Sequence, residues 1–128
     1  MKDALGVIKH FIGLPYNEDY QVCDEITVRF VDVGHLLGSA SIVLTLTENG
    51  ITRKIVFSGD IGNKHQPILR DPIFTDEADY VVMESTYGDR LHSTERPDYV
   101  GELTKILKET FDRGGNVVIP SFAVGRTQ

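Results

Sequence analysis

The chain has 128 residues, of which 41% are apolar and 25% charged, with a formal net charge of −6. It is long enough for one ordinary domain, too short for two, and too apolar for a disordered tail. The acid excess excludes a general nucleic-acid coating protein, which needs Lys and Arg against phosphates, but suits an enzyme holding divalent cations, because the ions invert the local field. A single cysteine, Cys23, rules out an internal disulfide and a thiolate-rich metal cage; it is expected to pack as a small apolar group. No apolar run approaches the roughly 20 residues that span a bilayer, and Lys9 and His10 interrupt the stretch near the start. No membrane partner or signal peptide is therefore expected, and the cytoplasm is the default location.

Residues Asp3 to Ile12 place Ala4, Leu5, Val7, Ile8, Phe11 and Ile12 at helical spacing, with Gly13 and Pro15 as the stop. Ile26–Val31 alternates as a half-buried strand, and Ser41–Thr47 is a second. Glu48-Asn49-Gly50 reads as a hairpin turn, with Ile51–Phe57 as the returning strand. A polar loop with Pro67 and Pro72 follows. Tyr80–Met83 is short and almost wholly apolar, which predicts burial on both faces. Pro97–Phe111 reads as a helix with Val100, Leu103, Ile106, Leu107 and Phe111 on one side, Pro97 in its first turn and Gly114-Gly115 closing it. Val117–Ile119 is the last predicted strand. Antiparallel pairs followed by a β-α-β unit predict an α/β fold, a mixed sheet covered by helices.

Residues able to do chemistry follow the strands. His35 follows the first, in Gly34–Ala40; Asp60 follows the third, in Phe57–Gly62; Glu84 follows the fourth; Ser121 and Arg126 follow the last. With the strands side by side, these loops share one rim, where α/β folds collect ligands from distant positions. Glycines beside His35 and Asp60 allow the tight turns that aim a side chain at an ion. An imidazole nitrogen and a carboxylate oxygen are ligands that a hydrolytic zinc takes, and one carboxylate can bridge two ions. Singly these signals are weak. A lone His in a Gly-rich turn is more often structural than a ligand, and a lone Asp after a strand is usually a turn or cap residue. His65 and His92, in polar loops, read as surface residues.

Taken together and in order, four segments resemble the metallo-β-lactamase-fold hydrolases of the β-CASP family, of the ribonuclease J and pre-mRNA 3′-end processing endonuclease type. Gly34–Ala40 looks like the family's third metal motif and Phe57–Gly62 like its fourth. Glu84-Ser85-Thr86-Tyr87-Gly88 resembles the first β-CASP motif, and Ile119–Gln128 the entry to the inserted domain. The resemblance implies that His35 ligates one zinc and that Asp60 bridges two. Glu84 would orient a downstream His that protonates the leaving oxygen. Ser85, Thr86 and Arg126 would position phosphate or the domain interface. The family's main motif, His-x-His-x-Asp-His, is absent, and none of the four histidines forms such a cluster.

The chain is accordingly expected to be the second half of a metallo-β-lactamase αββα sandwich, with residues 1–120 a partial lactamase-like domain and 121–128 the start of the insert. Its parent is expected to hydrolyse phosphodiester bonds in RNA or single-stranded nucleic acid, while the isolated chain binds zinc weakly or not at all and is inactive. Other substrate classes of the superfamily, and a non-catalytic homologue, are the alternatives. An uncovered apolar sheet face is expected to drive self-association.

Overall fold

The computed structural model describes residues 2–91, 97–125 and 127. The chain divides into two units, Met1–Glu84 and Ser85–Gln128. The first opens with helix α1 (Lys2–Ile8) and then builds a five-stranded mixed sheet in sequential order. Its strands are β1 (Asp19–Cys23), β2 (Ile26–Asp32), β3 (Ala40–Glu48), β4 (Ile51–Phe57) and β5 (Tyr80–Val82). The first four run antiparallel, and β5 joins β4 in parallel.

The β3–β4 hairpin forms as the sequence predicts. Glu48 pairs with Ile51, and Asn49 and Gly50 take φ of 50° and 76° between them. Positive φ at both central positions matches the right-handed strand twist. β1 is an addition to the predicted set. Its polar–apolar alternation runs over only four residues, Asp19 to Val22, and pairing makes it a strand: Asp19 lies opposite Arg29, whose Nε and Nη2 donate to the Asp19 carboxylate at 2.7 Å each. Cys23, at the end of this edge strand and beyond an irregularity in register, is exposed rather than packed.

Val31, Val43 and Val56 cluster on one face of the sheet. The segment after β4 returns to it: the Ile73 N–H donates to the Asp32 carbonyl at 2.9 Å, and Pro72 is buried. The opposite face carries Phe30, Ile42, Phe57 and Val82 in one row, with Val28, Leu44, Ile55 and Tyr80 in the next. Much of this second face is open to solvent: Ile42 and Phe57 are 37% and 38% exposed, and Tyr80 59%.

Three expectations about cover fail. β5 is exposed throughout instead of buried on both faces, because it is the sheet's edge and its apolar side chains meet no second layer. Helix α1 ends at Ile8 rather than Ile12, and its Leu5, Val7 and Ile8 stay exposed. In the second unit, α2 (Tyr99–Asp112) buries none of its residues.

The ends of α2 are well specified. Pro97, expected in the first turn, lies before the helix, and Asp98 is the cap: the side chain accepts from the Gly101 N–H at 3.0 Å, satisfying an orphan donor of the first turn. At the other end the Gly114 N–H reaches the Phe111 carbonyl and the Gly115 N–H the Thr110 carbonyl, both at 2.9 Å. With Gly114 at φ 68°, this is the Schellman arrangement. Val117–Ile119 is not a strand, since it pairs with none among the described residues and Val118 is 87% exposed. The predicted β-α-β unit is thus incomplete. No helix among the described residues is long and apolar enough to cross a membrane.

Candidate functional site

Strand direction decides where the chemistry gathers. Because β2 and β4 both run antiparallel to β3, and β5 runs parallel to β4, the C-terminal ends of β2, β4 and β5 share one rim. His35, Asp60 and Glu84 each lie just past one of these ends, as the sequence implied. His35 and Asp60 come together: Nε2 of His35 is 3.9 Å from Oδ2 of Asp60, and both side chains are open to solvent.

The backbone makes this approach possible. The Gly62 N–H donates to the Val33 carbonyl at 2.8 Å, tying the Asp60 loop to the His35 loop. A Cβ at Gly62 would fall on the Gly34 carbonyl, so only glycine allows the two loops to lie this close. The His35 loop is also closed on itself. Ser39 Oγ accepts from the N–H groups of His35 and Leu36 at 3.1 Å each and donates to the Leu36 carbonyl at 2.9 Å. The buried Asp32 carboxylate accepts from the Gly34 N–H at 2.9 Å, an Asx turn leading out of β2. Tyr16 adds a brace, its hydroxyl donating to the Ser39 carbonyl at 2.9 Å. Burial, assisted by the negative charge of Asp32, pushes the Tyr16 phenol above its usual range and keeps that donor protonated.

The Asp60 loop is held from β5. Buried Ser58 donates its N–H to the Val82 carbonyl at 2.9 Å, and its Oγ accepts from the Glu84 N–H at 3.0 Å. Glu84 Oε1 in turn accepts from the Ile61 N–H at 2.8 Å. Ser41 Oγ completes the web by donating to the Ser58 carbonyl at 2.8 Å. Among the described residues no buried side-chain nitrogen or oxygen lacks a partner.

No protein-family model matches this chain. Individual proteins do match. It is 41% identical over 128 residues to ribonuclease TTHA0252 of Thermus thermophilus, an alignment spanning 100% of this chain and 28% of that protein. It is 38% identical over 129 residues to an RNase J-like protein of Methanocaldococcus jannaschii, spanning 99% of this chain and 30% of the relative. Over its whole length the chain is thus homologous to segments of β-CASP family proteins. A third relative, transcription termination factor FttA of Thermococcus kodakarensis, is 37% identical over 131 residues and is spanned to 20% of its length. The chain therefore covers less than a third of each of these proteins.

Two metal-type donors meet at this rim. Bonds of about 2.0–2.2 Å to nitrogen and oxygen would let a single zinc touch both His35 and Asp60 across their separation, so the donor chemistry and spacing fit. Among the described residues no cluster of three His, Cys, Asp or Glu side chains could hold an ion. The set is thus partial.

The remaining candidates lie in the second unit or outside the described residues. Ser85 opens a turn in which its carbonyl accepts from the Gly88 N–H at 3.0 Å, and Thr86 lies within that turn. Ser121 is exposed, its Oγ 3.4 Å from the Ile119 carbonyl. Arg126 and His92 fall outside the described residues. His65, at φ 60°, donates its N–H to Asp71 at 2.5 Å and keeps its ring beside the same carboxylate, away from any metal cluster. Sequence reasoning gave no role to Tyr16, Asp32, Ser39 or Ser58. Asp32 did carry a signal, since Asp two residues before a glycine at a strand end is an Asx-turn pattern. Tyr16 carried none, because its partner is a main-chain carbonyl 23 residues away.

Proposed function

We propose that this chain supplies two metal donors, His35 and Asp60, to a zinc-dependent nuclease that cleaves phosphodiester bonds in RNA. The reading is carried by the 3.9 Å approach of His35 Nε2 to Asp60 Oδ2, in a family with ribonuclease-named members. The FttA-named relative adds support for RNA as the substrate class. Zinc ions bound there would polarise a phosphoryl oxygen and activate water.

The chain's own residues serve that chemistry by position. Gly34 and Gly62 allow the two loops to touch, Ser39 and Asp32 shape the turn that presents the imidazole, and Asp60 offers its carboxylate from the facing loop. Ser85, Thr86 and Arg126 are assigned to phosphate or to the interface with the inserted domain. In the whole protein, residues 1–120 form the second half of a metallo-β-lactamase αββα sandwich, residues 121–128 lead into the insert, and the location is cytoplasmic. A catalytic zinc takes three protein ligands and keeps one open position, so this chain alone, with two donors, is inactive.

The test is made on the whole protein. His35→Ala and Asp60→Asn are each expected to lower zinc content and reduce cleavage of single-stranded RNA at least ~100-fold, as loss of a metal's transition-state stabilisation requires. Wild-type cleavage and zinc content in both variants would refute the assignment.

A further inference from the structure

Asp60 is poorly placed to orient itself. Its side chain makes no hydrogen bond among the described residues and is 76% exposed, so its direction depends on the backbone beneath it. Besides the Gly62 contact with Val33, that backbone is clamped directly after Asp60. The peptide joining Asp60 to Ile61 is a rigid plane, and its N–H is taken by Glu84 Oε1 at 2.8 Å. Glu84 is in turn fixed by its own N–H on Ser58 Oγ, two residues before Asp60. The clamp therefore spans the loop from Ser58 to Ile61 and leaves the Asp60 side chain itself unheld by hydrogen bonds among the described residues.

We propose that Glu84 is a positioning residue, which sets the Asp60 carboxylate opposite His35 by holding the Ile61 N–H. The inference rests on reading His35 and Asp60 as metal donors. It differs from the role that the family resemblance implies for Glu84. Orienting a downstream histidine calls for negative charge, whereas holding an N–H calls only for an acceptor oxygen, which glutamine also has.

The two roles separate in the whole protein under calorimetric zinc titration. Glu84→Gln keeps zinc affinity within about threefold of wild type, whereas Glu84→Ala weakens it roughly 10–100-fold, the usual effect of removing a group that holds a metal ligand in place. Amide hydrogen exchange at Ile61 gives a readout free of metal. It is expected to accelerate in Glu84→Ala and to stay near the wild-type rate in Glu84→Gln.

Unchanged affinity and unchanged Ile61 exchange in Glu84→Ala overturn the proposal, and so does equal weakening of affinity in both variants, which would assign the effect to charge. Asp60→Asn serves as the reference. If it too leaves zinc affinity intact, the donor reading has failed independently, and Ile61 exchange alone then decides whether Glu84 holds the loop. Rescue by Glu84→Gln also guards against simple misfolding of Glu84→Ala.

Discussion

Ser58→Ala removes a single atom at the junction of β4 and the Asp60 loop. Ser58 is 6% exposed. Its Oγ accepts from the Glu84 N–H at 3.0 Å and donates to the Gly59 carbonyl at 2.7 Å. Both main-chain contacts, to Val82 and from Ser41, survive the substitution, so the strand ladder is kept and only the hydroxyl's work is lost. Depriving a buried amide of its acceptor costs about 1–3 kcal/mol, the desolvation penalty of a donor left unpaired, and a half-buried one falls within or below that range. For a chain of this size, with a urea slope of about 1–3 kcal/mol per molar, a loss near 2 kcal/mol lowers the urea midpoint by roughly 1 M at constant slope. Circular dichroism during urea unfolding measures it. Ser121→Ala, at an exposed hydroxyl with a long 3.4 Å contact, is the control and should move stability by less than about 0.5 kcal/mol. A Ser58→Ala midpoint no lower than that of the control would refute the claim that this hydroxyl pins the loop.

Two more outcomes can be stated. Hydrogen bonds from Arg29 hold the Asp19 carboxyl below its usual range. A group depressed on folding stabilises the fold above its unfolded value, and that contribution is lost as pH falls from about 4 downward through the folded value. Both side chains are about half exposed, so the effect is small, and Asp19→Asn should flatten only this acidic limb of a stability–pH curve. The half-open face of Phe30, Ile42, Phe57 and Val82 should drive self-association of the chain, because exposed apolar side chains grouped on one face favour burial against a second copy. Sedimentation should find wild type as a dimer or larger and Phe57→Lys shifted toward monomer; a wild type that stays monomeric at high concentration refutes it.

The parts of the fold legible in sequence are those where local pattern and tertiary need coincide. β2, β3 and β4 alternate because one side of each is buried, and Asn49-Gly50 can hardly be anything but a tight turn. Gly114-Gly115 specified the end of α2 for the same reason. The misreadings share a cause. Apolarity at Tyr80–Val82, along α2 and in Val117–Ile119 says that a segment favours burial, but not whether a second layer is there to bury it. β1 was missed for another reason, since its alternation is only four residues long and the pairing of Asp19 with Arg29 on the next strand leaves no local pattern. At the candidate site, His35, Asp60 and Glu84 were readable because strand ends concentrate such residues. The contact between Glu84 and Ile61 was not, because a carboxylate bonding to main chain leaves no pattern in residue types.

The joint between Gly34 and Gly62 has one more consequence. Around the rim, Asp32, Ser39, Ser58 and Glu84 hold main-chain groups, while the side chains of His35 and Asp60 hold nothing up. Scaffold and tool are separate at this edge of the molecule. Mutational drift could replace the two tools and leave the mount standing, whereas one methyl group at residue 62 would spoil the mount with both tools in place. The glycine, though it bears no chemistry, is harder to exchange without disturbing the loops than either residue that does.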